Sequence, residues 1–431
     1  MIRTDSGPPP SPVHPGLLVG IVLVAVNLRV GLTCVGPLIP AVSDDTGLSS
    51  AAAGLLSTLP LLAFAVISPA VPRWSRRRAS ASVITAALLG IMVGTALRSA
   101  PALWALFAGT LVLSAGIAAG NVLLPATIKS VAPAHRVGPL TSLYVTAMGL
   151  SAAVSSAVAV PIAQHTPGGW RTALGVWTAL ALLALAAWKP LLHRAAAPSG
   201  TLTARTAPAA SPPSPWRSAP AWQVACFMGL QSLGFYTVIA WLPSVLRAHG
   251  TSPGTAGWQL FLMQTVGLAA GAAVPLLTRL CGNQRLPAAG ASLVSAAGYA
   301  GVLFMPAWAT VWSAVLGFGA GTCLVLALTF QAHRAADAAA ATALSGMAQA
   351  VGYAIAAVGP LLAGYLHDAT GSWTPALLML TTLACLQAAA GAGAGRDLPY
   401  ATDRSENPLP PKQHPATINR KPAEEQTDED G

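Results

Sequence analysis

An arginine in the middle of an apolar run is the residue of this chain whose type and position most need a chemical explanation. Val19 to Pro40 reads VGIVLVAVNLRVGLTCVGPLIP, with Asn27 and Arg29 near its centre. Such a run is long enough to cross a hydrocarbon core about 30 Å thick, which takes roughly 20 helical residues. An arginine at mid-depth costs about 2.5 to 3.5 kcal/mol on insertion scales. The charge therefore either faces water or a ligand in a cavity, or is locked to backbone carbonyls as scaffolding. A guanidinium is a planar fork of donors, suited to an anionic or strongly dipolar small solute. Thr33 and Gly36 follow on the same helical face, and Arg29 is the leading candidate for a solute-binding residue.

Other polar residues within apolar runs are further candidates for the same pathway: Asn27, Asn121, Gln231, Tyr236, Trp241, Gln264, Gln349 and Tyr353. Asn27 lies two positions from Arg29 and so points from another face. For each of these residues the competing role is a hydrogen bond between helices. The acids are Asp5, Asp44, Asp45, Asp337, Asp368 and a tail cluster from Asp397 onward, and none falls at the middle of an apolar run. The eight histidines also fall in loops, tails or run ends. Proton-driven pumps commonly use membrane carboxylates or histidines. Cation export through a buried acid is thus disfavoured, and any coupling would use the solute's own charge or His and Asp near helix ends.

Enzymatic chemistry finds little support. A membrane-embedded enzyme needs a nucleophile with its base, or clustered metal ligands. The close His/acid pairs, His333 with Asp337 and His367 with Asp368, belong to loops on opposite sides, and no Walker, HExxH or GxSxG pattern occurs. The five cysteines are scattered singly, as small buried hydrophobes are. No cofactor or metal site is expected.

The elements that hold these residues follow from composition. Of 431 residues, 54% are hydrophobic and 8% charged, where a soluble domain carries about 25% charged. The formal charge of +10 comes from Lys and Arg between apolar runs and in the tails, so it marks membrane topology, not nucleic acid. Twelve spans are expected, near 16–40, 51–72, 79–98, 102–126, 138–163, 170–190, 219–243, 254–278, 286–305, 308–331, 341–366 and 372–392. The first is read as a retained helix, since no small-residue cleavage site follows it. Outside basic residues are only Arg98, Arg171 and Arg247 if the N-terminus is inside. The positive-inside rule then puts both termini in the cytoplasm of a multi-pass plasma-membrane protein. Residues 1–14 and 393–431 read as polar tails, the latter disordered. Residues 193–218 read as a flexible linker between six-helix halves at 15–192 and 219–392.

An offset of 203 positions pairs Pro40 with Pro243, Gly47 with Gly250, Ser49 with Ser252, Pro72 with Pro275, Gly149 with Gly352 and Trp170 with Trp373. Pro, Gly and Trp matched at one unbroken offset mark an internal repeat. Six spans separate the copies, so both enter from the same side as parallel repeats. The expected fold class is all-α and polytopic: two six-helix halves related by a pseudo-two-fold axis along the membrane normal, with a site near the midplane between them.

Asn27 to Pro40, Gly47 to Pro72, Gly116 to Pro125 (GIAAGNVLLP) and Gly229 to Pro243 (GLQSLGFYTVIAWLP) resemble the cyanate and 2-nitroimidazole transporter group of the major facilitator superfamily. The resemblance spans all twelve expected helices. It implies a secondary transporter of a small solute working by alternating access, functional as a monomer in the bilayer. The alternative within transporters is a drug or hydrophobic-compound exporter, whose cavity would be aromatic and would not require an arginine. The loop after the second span, Pro72 to Arg78 (PRWSRRR), lacks the Asp that the wider superfamily carries before its basic cluster.

Overall fold

The computed structural model describes residues 15–71, 80–131, 134–195, 214–334 and 338–396. The expected N-terminal tail, the basic loop after the second span, most of the expected linker, Asp337 and nearly all of the C-terminal tail lie outside these residues. Within them the helices are α1 (Pro15–Thr33), α2 (Val35–Thr46), α3 (Ser50–Ile67), α4 (Ser80–Leu97), α5 (Leu103–Val131), α6 (Ala134–His165), α7 (Gly169–Gly175) and α8 (Trp177–Ala195) in the first half. The second half holds α9 (Ala219–Ala248), α10 (Pro253–Cys281), α11 (Arg285–Phe304), α12 (Ala309–His333), α13 (Ala338–Thr370) and α14 (Thr374–Ala394). Ten spans are long and apolar enough to cross a membrane, the bent pair α1–α2 makes an eleventh, and a shorter apolar helix at Ser82–Leu97 completes the expected twelve. Leu and Val side chains such as Val66, Leu183 and Leu280 are exposed on the outside of the bundle, the arrangement that lipid requires.

The first expected span is broken. α1 and α2 meet at 41° around Cys34. Pro37 has no N–H to offer the carbonyl of Thr33, and a proline that removes an internal hydrogen bond kinks a helix. The Thr33 carbonyl instead accepts from Ser156 Oγ at 3.1 Å, and that of Gly31, in the turn before the bend, accepts from Arg98 Nη1 at 2.6 Å. Neighbouring helices thus stabilise the bend by satisfying polar backbone groups that lipid could not.

The two halves repeat one packing pattern. In the first, α1 packs on α6 and α8, α3 on α5, and α4 on α5 and α8. In the second, α9 packs on α13 and α14, α10 on α12, and α11 on α12 and α14. Between halves, α3 packs on α13 and α6 on α10, again a symmetry-related pair. The matched Ser49 and Ser252 are both N-caps, of α3 and α10, each accepting a backbone N–H at 3.2 Å. Their matched glycines, Gly47 and Gly250, both sit at positive φ, 69° and 87°, a conformation that only glycine adopts without strain.

Both ends of the described chain, Pro15 and Arg396, lie on one face of the bundle, here the terminal face; the opposite one is the distal face. Toward the distal face the seams between halves are tight. A Cβ on Gly54 of α3 would lie 2.6 Å from the carbonyl oxygen of Pro360 on α13, so only glycine permits this approach. Thr58 Oγ1 donates to the Ala357 carbonyl at 2.9 Å across the same seam.

One expectation about charge is corrected. Arg98, assigned to an outside loop, is 0% exposed. Its side chain turns back from the end of α4 into the bundle, held by the Gly31 carbonyl and by Cys34 Sγ at 3.6 Å. Arg29 thus shares the bundle interior with a second, fully buried arginine. Arg334, assigned to an inside loop, is also buried, and its Nε donates to the Ala394 carbonyl at 2.9 Å.

Candidate substrate cavity

Between the halves lies a cavity of about 580 Å³, within the range of small-molecule sites. Its walls come from both halves, and it extends from mid-bundle toward the terminal face along Asn121, Ser142, Ala272, Leu328 and Gln349. Arg29, Thr33 and Gly36 all line it, as their shared helical face predicts. The Arg29 side chain is half-buried, and its Nη1 donates to Tyr236 Oη of the opposite half at 3.4 Å, a long contact that leaves the fork free for another acceptor. Tyr144 and Tyr353 line the same space, and Tyr353 meets Phe64 edge-on with ring centroids 5.4 Å apart.

Of the expected site residues, Arg29, Asn121, Tyr236, Gln264, Gln349 and Tyr353 line the cavity, and three others are placed elsewhere. Asn27 is 1% exposed, and its Nδ2 donates to the carbonyls of Leu23 at 2.8 Å and Leu180 at 3.3 Å, tying α1 to α8. Gln231 is buried within α9, accepting from its neighbour Ser232. The 203-residue offset pairs Arg29 with Ser232, next to Gln231; these two bond to each other, and the second half presents Tyr236, the repeat mate of Thr33, instead. Trp241 is buried toward the distal face, donating to the Pro360 carbonyl at 2.8 Å and packing on Trp373 at 5.0 Å. Gln264 lines the wall while its Nε2 donates to Ser156 Oγ at 2.8 Å and to the Ala152 carbonyl at 3.3 Å, so it also ties α10 to α6. Tyr144 was not anticipated; its only sequence signal is a tyrosine within an apolar run.

The electrostatics are one-sided. Among the described lining residues there are two arginines and no Asp, Glu, His or Lys. Arg98 reaches backbone and sulfur through Nη1 and Nη2, while its buried Nε has no partner among the described residues; it is the arginine that ties α4 to the bend between α1 and α2. The rest of the lining is largely apolar, with Met228, Phe235 and Met263 among it.

A family model described as Major Facilitator Superfamily matches residues 21–357. The chain belongs to the Major Facilitator Superfamily. A relative within it, the 2-nitroimidazole transporter of Escherichia coli (strain K12), is 44% identical over 381 residues, 88% of this chain and 95% of that protein. The cyanate transport protein CynX of the same organism is 28% identical over 360 residues, 83% of this chain and 91% of that protein. Among solved structures, a bacterial homolog of the human lysosomal transporter Spinster, in an inward-facing and occupied conformation, superposes with a TM-score of 0.74 at 13% identity. It covers 90% of this chain and 98% of that one, and the likeness carries the fold. Like its relatives in the superfamily, the protein is a transporter and not an enzyme.

Proposed function

We propose that this transporter moves a small anionic or strongly polar solute, of the cyanate or nitroimidazole kind, by alternating access, and that Arg29 binds it. The observation that carries this reading is a half-buried guanidinium in a central cavity whose described lining holds no acid and offers it only Tyr236 at 3.4 Å. A charge in such a place gains most from an acceptor that arrives with the solute, because in a low-dielectric cavity charge-assisted hydrogen bonds are the strong ones. Tyr236 orients the guanidinium, Tyr144 and Tyr353 flank the solute, and Asn121 and Gln349 supply neutral polar contacts nearer the terminal face. The protein works as a monomer, with the terminal face cytoplasmic and the cavity open to it. Exposed Arg136, Arg217, Arg279 and Arg285 on that face support this orientation.

The test is a flux assay in proteoliposomes with cyanate, nitroimidazoles and short carboxylates, with and without a pH gradient. A well-folded Arg29→Ala protein that transports the preferred solute at the unaltered rate would sink the role given to Arg29. The largely apolar wall favours a second reading, an exporter of hydrophobic compounds. That reading expects transport of uncharged aromatic compounds to survive Arg29→Ala.

A further inference from the structure

The distal face is closed by two symmetry-related seams, α3 on α13 and α6 on α10, but only one of them is tied by a charge. Asp368, near the end of α13, accepts the backbone N–H of Ser50 on Oδ1 at 2.9 Å and that of Ala51 on Oδ2 at 2.7 Å. These are the first donors of α3, in the opposite half of the molecule. With Ser49 Oγ taking the Ala52 N–H at 3.2 Å, the exposed amides of the first turn of α3 are satisfied, two of them only by the other half. A carboxylate is favoured there by the helix dipole as well as by the hydrogen bonds. Its neighbour His367 adds an Nδ1 to Ser50 Oγ contact at 3.1 Å, and the imidazole is held flat against Trp373, ring centroids 4.1 Å apart.

The repeat shows that this tie is not a by-product of symmetry. The mate of Ser50 is Pro253, which has no N–H to give, and the mate of Asp368 is His165. His165 turns to the Pro161 carbonyl of its own helix at 2.8 Å. The second seam is tied instead by the neutral Gln264 to Ser156 bond at 2.8 Å. Asp368 is solvent-exposed, so water can replace both of its partners when the seam parts. Such a tie can bias an equilibrium without freezing it.

We propose that Asp368 is the distal latch of the carrier: by capping α3 across the interface it holds the distal face closed, and it must let go of Ser50 and Ala51 each time the cavity opens to that side. Removing the carboxylate shifts the resting population toward the distal-open state. The proposal rests on the two halves exchanging access, and it is independent of which solute binds or of the role of Arg29.

Hydrogen exchange on the full-length protein in lipid nanodiscs, without solute, tests it. In Asp368→Ala, exchange is expected to rise about fivefold in the first turns of α3. It should rise equally in the distal parts of α6 and α10, which Asp368 does not touch but which separate when the distal face opens. Asp368→Asn keeps one acceptor and should fall between, and His165→Ala should match the unaltered protein. A rise confined to residues 49–53 would show a local helix cap, and no rise would show an idle surface contact; either result overturns the latch. Because no solute is present, failure of the solute reading leaves this measurement intact.

Discussion

Arg29 and Arg98 are both inside the bundle, and the difference between them lies in what their donors meet. Arg98 is wholly enclosed, and its guanidinium reaches the Gly31 carbonyl and Cys34 Sγ. Its removal leaves a buried carbonyl without that donor, a loss of about 1 to 3 kcal/mol, together with a cavity. Arg98→Ala is thus expected to lower the thermal midpoint in detergent while solute affinity in the surviving folded fraction stays unchanged, as a binding titration would show. Arg29 keeps an open fork toward the cavity. Arg29→Ala should weaken solute binding by roughly 10- to 100-fold, the range of a charge-assisted hydrogen bond, with little change in midpoint. Arg29→Lys should fall between, because it keeps the charge but not the planar fork. Tyr236→Phe removes only the acceptor that orients Arg29, and about a fivefold rise in the half-saturating solute concentration is expected.

At the scale of elements, the repeat is conserved as shape more than as residue. The offset that pairs Ser49 with Ser252 also pairs Arg98 with Gly301 and Gly109 with Trp312. In the first half Gly109 makes room for Arg98, whose Cβ would lie 2.8 Å from an added Cβ. In the second half Gly301 makes room for the Trp312 ring. The large residue has moved to the facing helix and the gap is filled from the other side, as close packing requires. The bend between α1 and α2 has no counterpart in α9, which is one continuous helix. It carries α2 against α9, where an added Cβ on Gly36 would collide with the Ile239 carbonyl oxygen. Gly36→Val is therefore expected to prevent this crossing from closing. Transport should fall at least tenfold, a barrier change of about 1.4 kcal/mol, and hydrogen exchange in α2 and the adjoining part of α9 should rise.

At the scale of the molecule, two halves meet along two distal seams around a cavity that extends toward the terminal face. Trp104, Trp258 and Trp308 lie exposed near the distal ends of their helices, and Trp216 and Trp222 near the terminal face. Such placement suits the two interfaces of a bilayer. Cys281 is exposed at the terminal end of α10. With that face in the cytoplasm, a membrane-impermeant maleimide should leave Cys281 unmodified in intact cells and label it after permeabilisation, read by mass spectrometry of its peptide. Labelling in intact cells would reverse the orientation.

The sequence by itself determined the membrane class, the succession of apolar spans, the parallel repeat and the family resemblance. Each is a property of local composition or of one part of the chain compared with another. It also put Arg29, Thr33 and Gly36 on one face, because helical periodicity is a local rule. Which polar side chains reach the cavity was decided only by tertiary structure. Asn27 turns to the Leu180 carbonyl and Tyr144 turns to the cavity, since the rotation of each helix about its axis is set by the neighbours it packs on. Arg98 looked like a loop residue because a charge at the end of an apolar run has no periodicity to betray it. Only the fold shows its long side chain reaching back to the bend between α1 and α2. There Arg98 holds the Gly31 carbonyl, while Arg29 lines the cavity with Tyr236 as its partner.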